Sequence, residues 1–153
     1  MNTEIIPATQ EHALYIAENM RKADREEVMA SHGHTPKQAV MRSLNVSDKS
    51  WACTLDGEPV CIWGVATIGS ILSFTGAPWL LGTDKVNDIK FYFLRNSANY
   101  VDEMHKNYDL LENYVDERNT LSKAWLKWLG FKIDKAEPHG VAGLPFHRFY
   151  MGK

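Results

Sequence analysis

Few residues in this chain have types and spacings that invite chemistry. His32-Gly33-His34 sets two imidazoles around a flexible residue, the kind of pair that ligates zinc. A zinc site needs further ligands, and His105, His139 and His147 are dispersed with nothing to pair them, so no metal site is expected. Cys53 and Cys61 flank Asp56-Gly57, a hairpin signal. A two-residue turn would set Cys53 opposite Val60, and a three-residue loop would set the two thiols opposite each other. Two cysteines read as a reducing compartment and not as a disulfide scaffold. Asp84 could accept a proton, and Thr83-Asp84 could equally cap a helix. Asn119 has the same double reading. No Ser-His-Asp or Cys-His order lies in a recognisable local motif. Lys37, Arg42, Lys49, Lys85 and Lys90 are spread out and form no basic stripe.

The elements that must position these groups fit one domain. The chain has 153 residues, 44% of them hydrophobic and 24% charged, ordinary values for a globular protein. The net charge of -2 gives no general attraction to phosphate, so nucleic acid is not expected as a partner. No apolar run reaches the roughly 18–20 residues of a membrane span, and Met1-Asn2-Thr3-Glu4 does not open a secretory signal.

Glu4 to Pro7 reads as a first strand, and Thr9 as the cap of a helix burying Ala13, Ile16, Ala17 and Met20. Asp24-Arg25-Glu26-Glu27 fits a capping signature for a second helix, which Gly33 ends. Thr35-Pro36-Lys37-Gln38 opens a third, running to about Leu44 or Val46. Strands follow at Ser50–Leu55, Pro59–Thr67, Ile71–Phe74 and Pro78–Leu81. A long helix then spans about Asn87 to His105, and a strand Asp109 to Val115. Leu121, Ala124, Trp125, Trp128 and Leu129 make the clearest amphipathic stripe, on a helix capped by Asn119 and ended by Gly130. That stripe places Trp125 and Trp128 in the core. Trp51, Trp63 and Trp79 lie on strands as packing groups, one of which could line a cleft. Phe131–Ile133 and Phe146–Met151 are final strands, joined by a stretch that reads as a long loop or a lid, Glu137 to Leu144. The fold class is α/β, one domain over residues 1–153, with a mixed, mostly antiparallel sheet and helices on both faces.

This order is similar to the GNAT fold of acyl-CoA N-acyltransferases. The specific match is Asn119, Ser122, Gly130 and Phe131, which keep that family's spacing in its penultimate helix. A closer resemblance covers nearly the whole chain, from about Ile16 to Met151. Ala23-Asp24-Arg25-Glu26-Glu27-Val28, Ala30-Ser31, Pro78 through Asp84, Asn113-Tyr114-Val115-Asp116 and Trp125 through Phe131 resemble the small internal virion protein (internal virion protein A) family of short-tailed phages. That resemblance implies a GNAT-like fold.

It also implies a site. Acetyl-CoA or a related acyl-CoA would be the cofactor. Its pantetheine arm would lie on backbone groups of Leu80, Leu81, Gly82 and Thr83, and its phosphates near Asn87 and Lys90. Asn119 and Ser122 would contact it, and Asp84 would be the catalytic base, with Asp116 and Glu117 next in line. Two departures stand out. The glycine-rich pyrophosphate loop falls at Asn87-Asp88-Ile89-Lys90-Phe91-Tyr92, which has no glycine, and Asp84 and Asp88 add negative charge there. The general-acid tyrosine of the family falls at Leu126, which has no proton to give; Tyr114, Tyr100 or Cys53 would have to substitute. Two functions follow: an atypical acyl-CoA-dependent N-acyltransferase, or a non-catalytic virion, assembly or host-protein-binding factor. The expected partners are phage virion or host proteins, without membrane, in the host cytoplasm or virion interior.

Overall fold

The computed structural model describes residues 2–70 and 72–153. Among them, eight strands form one mixed sheet flanked by five helices. β1 (Thr3–Pro7) leads to α1 (Gln10–Glu18). The Thr9 hydroxyl accepts the His12 N–H while His12 Nδ1 accepts the Thr9 N–H, a reciprocal cap. α2 (Lys22–His32) begins at an Arg21 cap that offers no side-chain bond. The expected cap at Asp24 is corrected: Asp24 lies inside the first turn, fully buried, because its carboxylate has partners on the sheet. Gly33 ends α2 at φ 69°, the left-handed conformation that favours glycine. α3 (Pro36–Val46) carries the expected Thr35/Gln38 capping box.

β2 (Ser47–Leu55) and β3 (Glu58–Thr67) form a hairpin around the two-residue turn Asp56-Gly57. Cys53 nevertheless pairs with Cys61, because Val60 is the extra residue of a bulge between Thr54↔Pro59 and Cys53↔Cys61. Both cysteines are buried and free. β4 (Thr75–Gly82) is one strand where two were expected. Ile71 lies outside the described residues, 72 and 73 form turn and bend, and Phe74 has φ 53°. A 3-10 turn (Asp84–Ile89) precedes α4 (Lys90–His105), so the helix starts later than its apolar spacing suggests. β5 (Leu110–Asp116), α5 (Thr120–Leu129), β6 (Lys132–Ile133), β7 (Glu137–His139) and β8 (Leu144–Gly152) complete the chain.

The strand order is β1-β2-β3-β4-β5-β8-β6, with β7 on β8; only β4 and β5 run parallel. One core, built on Trp63, Phe93, Trp125 and Phe149, lies under α4 and α5. The other, built on Ile16, Val40, Ile62 and Leu81, lies under α1, α2 and α3. Trp125 is buried as expected, but Trp128 is 57% exposed, which corrects its core assignment. The inner face of α5 is turned by about one residue, presenting Leu121, Ser122, Trp125, Leu126 and Leu129, because part of that face borders an opening in the sheet.

Candidate functional site

That opening lies between β4 and β5. Their parallel pairing is confined to Thr75↔Leu110 and Gly76↔Leu111, after which they part. Among the described residues, the one bridge between them further along is Asn113 Nδ2 donating to the Pro78 carbonyl at 2.9 Å. Pro78 is tolerated within β4 because its missing N–H would face this gap and not β3. The Thr83 N–H bonds back to Val60 on β3, while the Gly82 N–H and Pro78 carbonyl bond away from it. Strand alternation therefore turns the Leu80 amide and carbonyl into the notch.

A cavity of about 420 Å³ runs through the notch from one sheet face to the other. Trp79, Leu80, Leu81, Tyr114 and Val115 form its waist. Phe93, Trp125, Leu126 and Leu129 line the end under α4 and α5. Glu27, Ser31, His32, His34, Arg42 and His139 line the end beside α2 and α3.

The carboxyl ends of β4 and β5, where the strands are furthest apart, are tied together by α2. The Arg21 N–H donates to the Gly82 carbonyl at 2.9 Å, and the Gly82 N–H donates to Asp24 Oδ2 at 2.9 Å. Asp24 Oδ1 accepts from Arg21 Nη1 at 2.7 Å and from Asn119 Nδ2 at 3.1 Å. Asn119 Oδ1 accepts from Arg21 at 3.2 Å and from the Ser122 N–H at 3.4 Å. One turn on, Glu27 Oε1 accepts the Asp116 N–H at 2.7 Å. Splaying two strands leaves backbone donors without a ladder, and buried donors must be paired. Here two carboxylates of one helix take up one donor from each strand.

Charge is managed within the cluster. Burial pushes the Asp24 carboxyl above its ordinary range, and Arg21, the Gly82 N–H and Asn119 pull it back. Burial, then the charge of Asp24, pushes Glu27 to about 8, against the Asp116 N–H. Burial would raise Asp116 as well, but three bonds from Arg118 outweigh it and hold this carboxylate below its usual range. Glu27 is thus a carboxyl protonated at neutral pH in the wall of the cavity.

The expected site residues divide into three groups. Leu80, Leu81 and Ser122 line the cavity. Gly82, Thr83 and Asn119 are buried next to it but engaged: Gly82 and Asn119 with Asp24, Thr83 with Val60 and, through its hydroxyl, with the Lys85 N–H. Asp84, Asn87 and Lys90 are exposed and do not line it; Thr83, not Asp84, caps the turn. Of the substitute acids, Tyr100 and Tyr114 border the cavity and Cys53 does not. Glu27 is the residue the sequence reading missed. The signal was present, since three-residue spacing puts Asp24 and Glu27 on one helix face. Among the described residues no group of three or more His, Cys, Asp or Glu could hold a metal ion.

A mixed sheet opened at one parallel pair, with the open strands followed by α4 and α5, is the GNAT acetyltransferase fold. Solved structures agree. An N-acetyltransferase from Staphylococcus aureus Mu50 superposes with a TM-score of 0.73 at 13% identity, over 99% of this chain and 99% of its own. The ribosomal-protein-S5-alanine acetyltransferase from Vibrio fischeri gives 0.67 at 16%, over 99% and 93%. An aminoglycoside acetyltransferase in complex with coenzyme A gives 0.67 at 12%, over 99% and 95%. No protein-family model matches the sequence, and no curated protein matches it. At these identities the likeness establishes the fold. No helix among the described residues is long and apolar enough to cross a membrane.

The cofactor implied by that fold, acyl-CoA, does not fit the residues present. The Gly82 amide and the Asn119 side chain, both expected to face it, are bonded to Asp24. A 3-10 turn, its first donors bonded to Thr83, stands where a glycine-rich loop would expose free N–H groups. Asn119 is 1% exposed, so a pantetheine arm reaches it only if α2 moves.

Proposed function

We propose that this chain is a binding protein on a GNAT scaffold. It holds a small, largely apolar molecule in the channel through its sheet and does not use acyl-CoA in the manner of the fold. The observation that carries this reading is the Asp24 carboxylate bonded at once to the Gly82 amide and to Asn119. The channel has the size and apolar lining of a small-molecule site, and the Leu80 backbone offers it one donor and one acceptor. Calorimetric titration with acetyl-CoA and CoA tests it. No heat is expected at millimolar ligand, and micromolar binding would overturn it.

Glu27 favours a second reading, transfer of an acyl group to an amine. A carboxyl pushed to about 8 in the cavity wall could, once ionised at mildly alkaline pH, take a proton from an incoming ammonium. This reading requires an acylated product when acetyl-CoA is incubated with a panel of amines, and its loss in Glu27→Gln. Absence of product by mass spectrometry supports the binding reading. The resemblance to small internal virion proteins would place either activity in a phage particle or its host. Recovery of the chain with purified virions is the result that supports that placement, and its absence from them counts against it.

A further inference from the structure

The end of the channel beside α2 and α3 has a chemistry that the fold does not explain. His32 and His34 stack with ring centroids 5.4 Å apart. His139, from β7, stacks on Tyr114 at 3.8 Å. The following loop lies against the end of α2, with the Val141 N–H donating to the Ser31 carbonyl at 3.1 Å and the Ala142 N–H to the Ala30 carbonyl at 3.2 Å. Arg42, on α3, makes no ion pair among the described residues. All four side chains line the same cavity mouth. The charges felt at His32 come from His34, Arg42 and His139, one from its own segment, one from α3 and one from the β7 loop, and all three are basic groups. Glu27 is the one acid among the residues that line the cavity, and its carboxyl is raised to about 8.

Four basic side chains that make no ion pair among the described residues, at the mouth of an apolar channel whose one acid is the raised Glu27, form half of an ion pair. We propose that the channel takes a small amphipathic anion, a carboxylate or phosphate on an apolar chain, with its head among His32, His34, Arg42 and His139 and its chain passing between β4 and β5. This rests on the reading of the channel as a binding site and adds the class of ligand. Arg42 supplies a charge at every pH and a planar fork suited to either head group. His32 and His139 supply a charge that depends on pH. Burial, then the neighbouring His34, Arg42 and His139, lowers His32, and burial lowers His139, so both are mostly neutral in the free protein at pH 7. An anion favours their charged form, and binding therefore takes up protons.

The test is calorimetry with four probes of equal chain length: decanoate, decyl phosphate, decylamine and decanol, each below its aggregation limit. The two anions should bind and the amine and alcohol should bind at least about 10-fold more weakly. Decanoate should bind about 10-fold tighter near pH 6 than near pH 8, with a heat that varies with buffer ionisation enthalpy as proton uptake requires. Arg42→Ala should weaken both anions about 10-fold at either pH, and the double change His32→Gln with His139→Gln should flatten the pH dependence. Decanol or decylamine binding as tightly as decanoate, or an unchanged affinity in Arg42→Ala, overturns the ligand class and leaves the channel reading intact. Failure of all four probes to bind overturns both. Decyl phosphate binding alone narrows the head group to phosphate and supports the proposal.

Discussion

α2 has two ends that treat charge in opposite ways. At its N-terminal end Asp24 is buried and Glu27 half-buried, and each carries a hydrogen bond from a strand that the notch has left open. At its C-terminal end His32 and the neighbouring His34, Arg42 and His139 face a cavity whose one lining acid, Glu27, is bonded to the Asp116 N–H and raised to about 8. One end uses polar groups to hold the fold closed; the other leaves polar groups for something else to satisfy. The departure from the fold's cofactor site lies at the closed end, and the unfilled capacity at the open one.

The contrast can be broken at either end. The largest effect should come from Asp24→Ala, which strands the Gly82 amide, the Asn119 amide and the half-buried Arg21 charge together. A loss of about 3–5 kcal/mol is expected in urea denaturation. Next is pH. Glu27 has its carboxyl raised from 4.5 unfolded to about 8 folded. Between those values the folded state holds a proton that the unfolded state has lost, so stability falls as pH rises across the window. Denaturation midpoints should show a decline on the order of 2–4 kcal/mol from pH 4.5 to 8, largely abolished in Glu27→Gln. Third is Gly140→Ala. Gly140 has φ 77°, and a Cβ there would meet the Ala30 carbonyl and Ser31 Cα at 2.7 Å. The loop carrying His139 should lift, with a loss of about 1–2 kcal/mol and weaker anion binding. Smallest is Arg42→Ala, an exposed and unpaired residue whose removal should leave stability within about 0.5 kcal/mol. A large loss there would show that the open end is structural after all.

The closed end was the less legible of the two. Caps at Thr9, Thr35 and Asn119 and helix ends at Gly33 and Gly130 could be read from the chain because each depends on residues within one turn. Asp24 could not. A capping signature and a buried carboxylate pair use the same residue types at the same spacing, and only contacts 58 and 95 residues away decide between them. Trp128 was misplaced for a related reason: a stripe gives the apolar face of α5 but not the gap that turns it. Asp84 resembled a base because it follows the cleft strand, whereas the chain has already turned outward there. The pairing of Cys53 with Cys61 needed a bulge that no turn rule supplies.

The closure of the notch by Asp24 is tested most directly at the backbone amide of Gly82. With acetyl-CoA added to millimolar concentration, the Gly82 amide and the Asn119 side-chain amide should keep their chemical shifts, and the Gly82 proton its slow exchange. Saturable shifts of both resonances at micromolar acetyl-CoA would mean that α2 yields to the cofactor and that the notch is an acyl-CoA site.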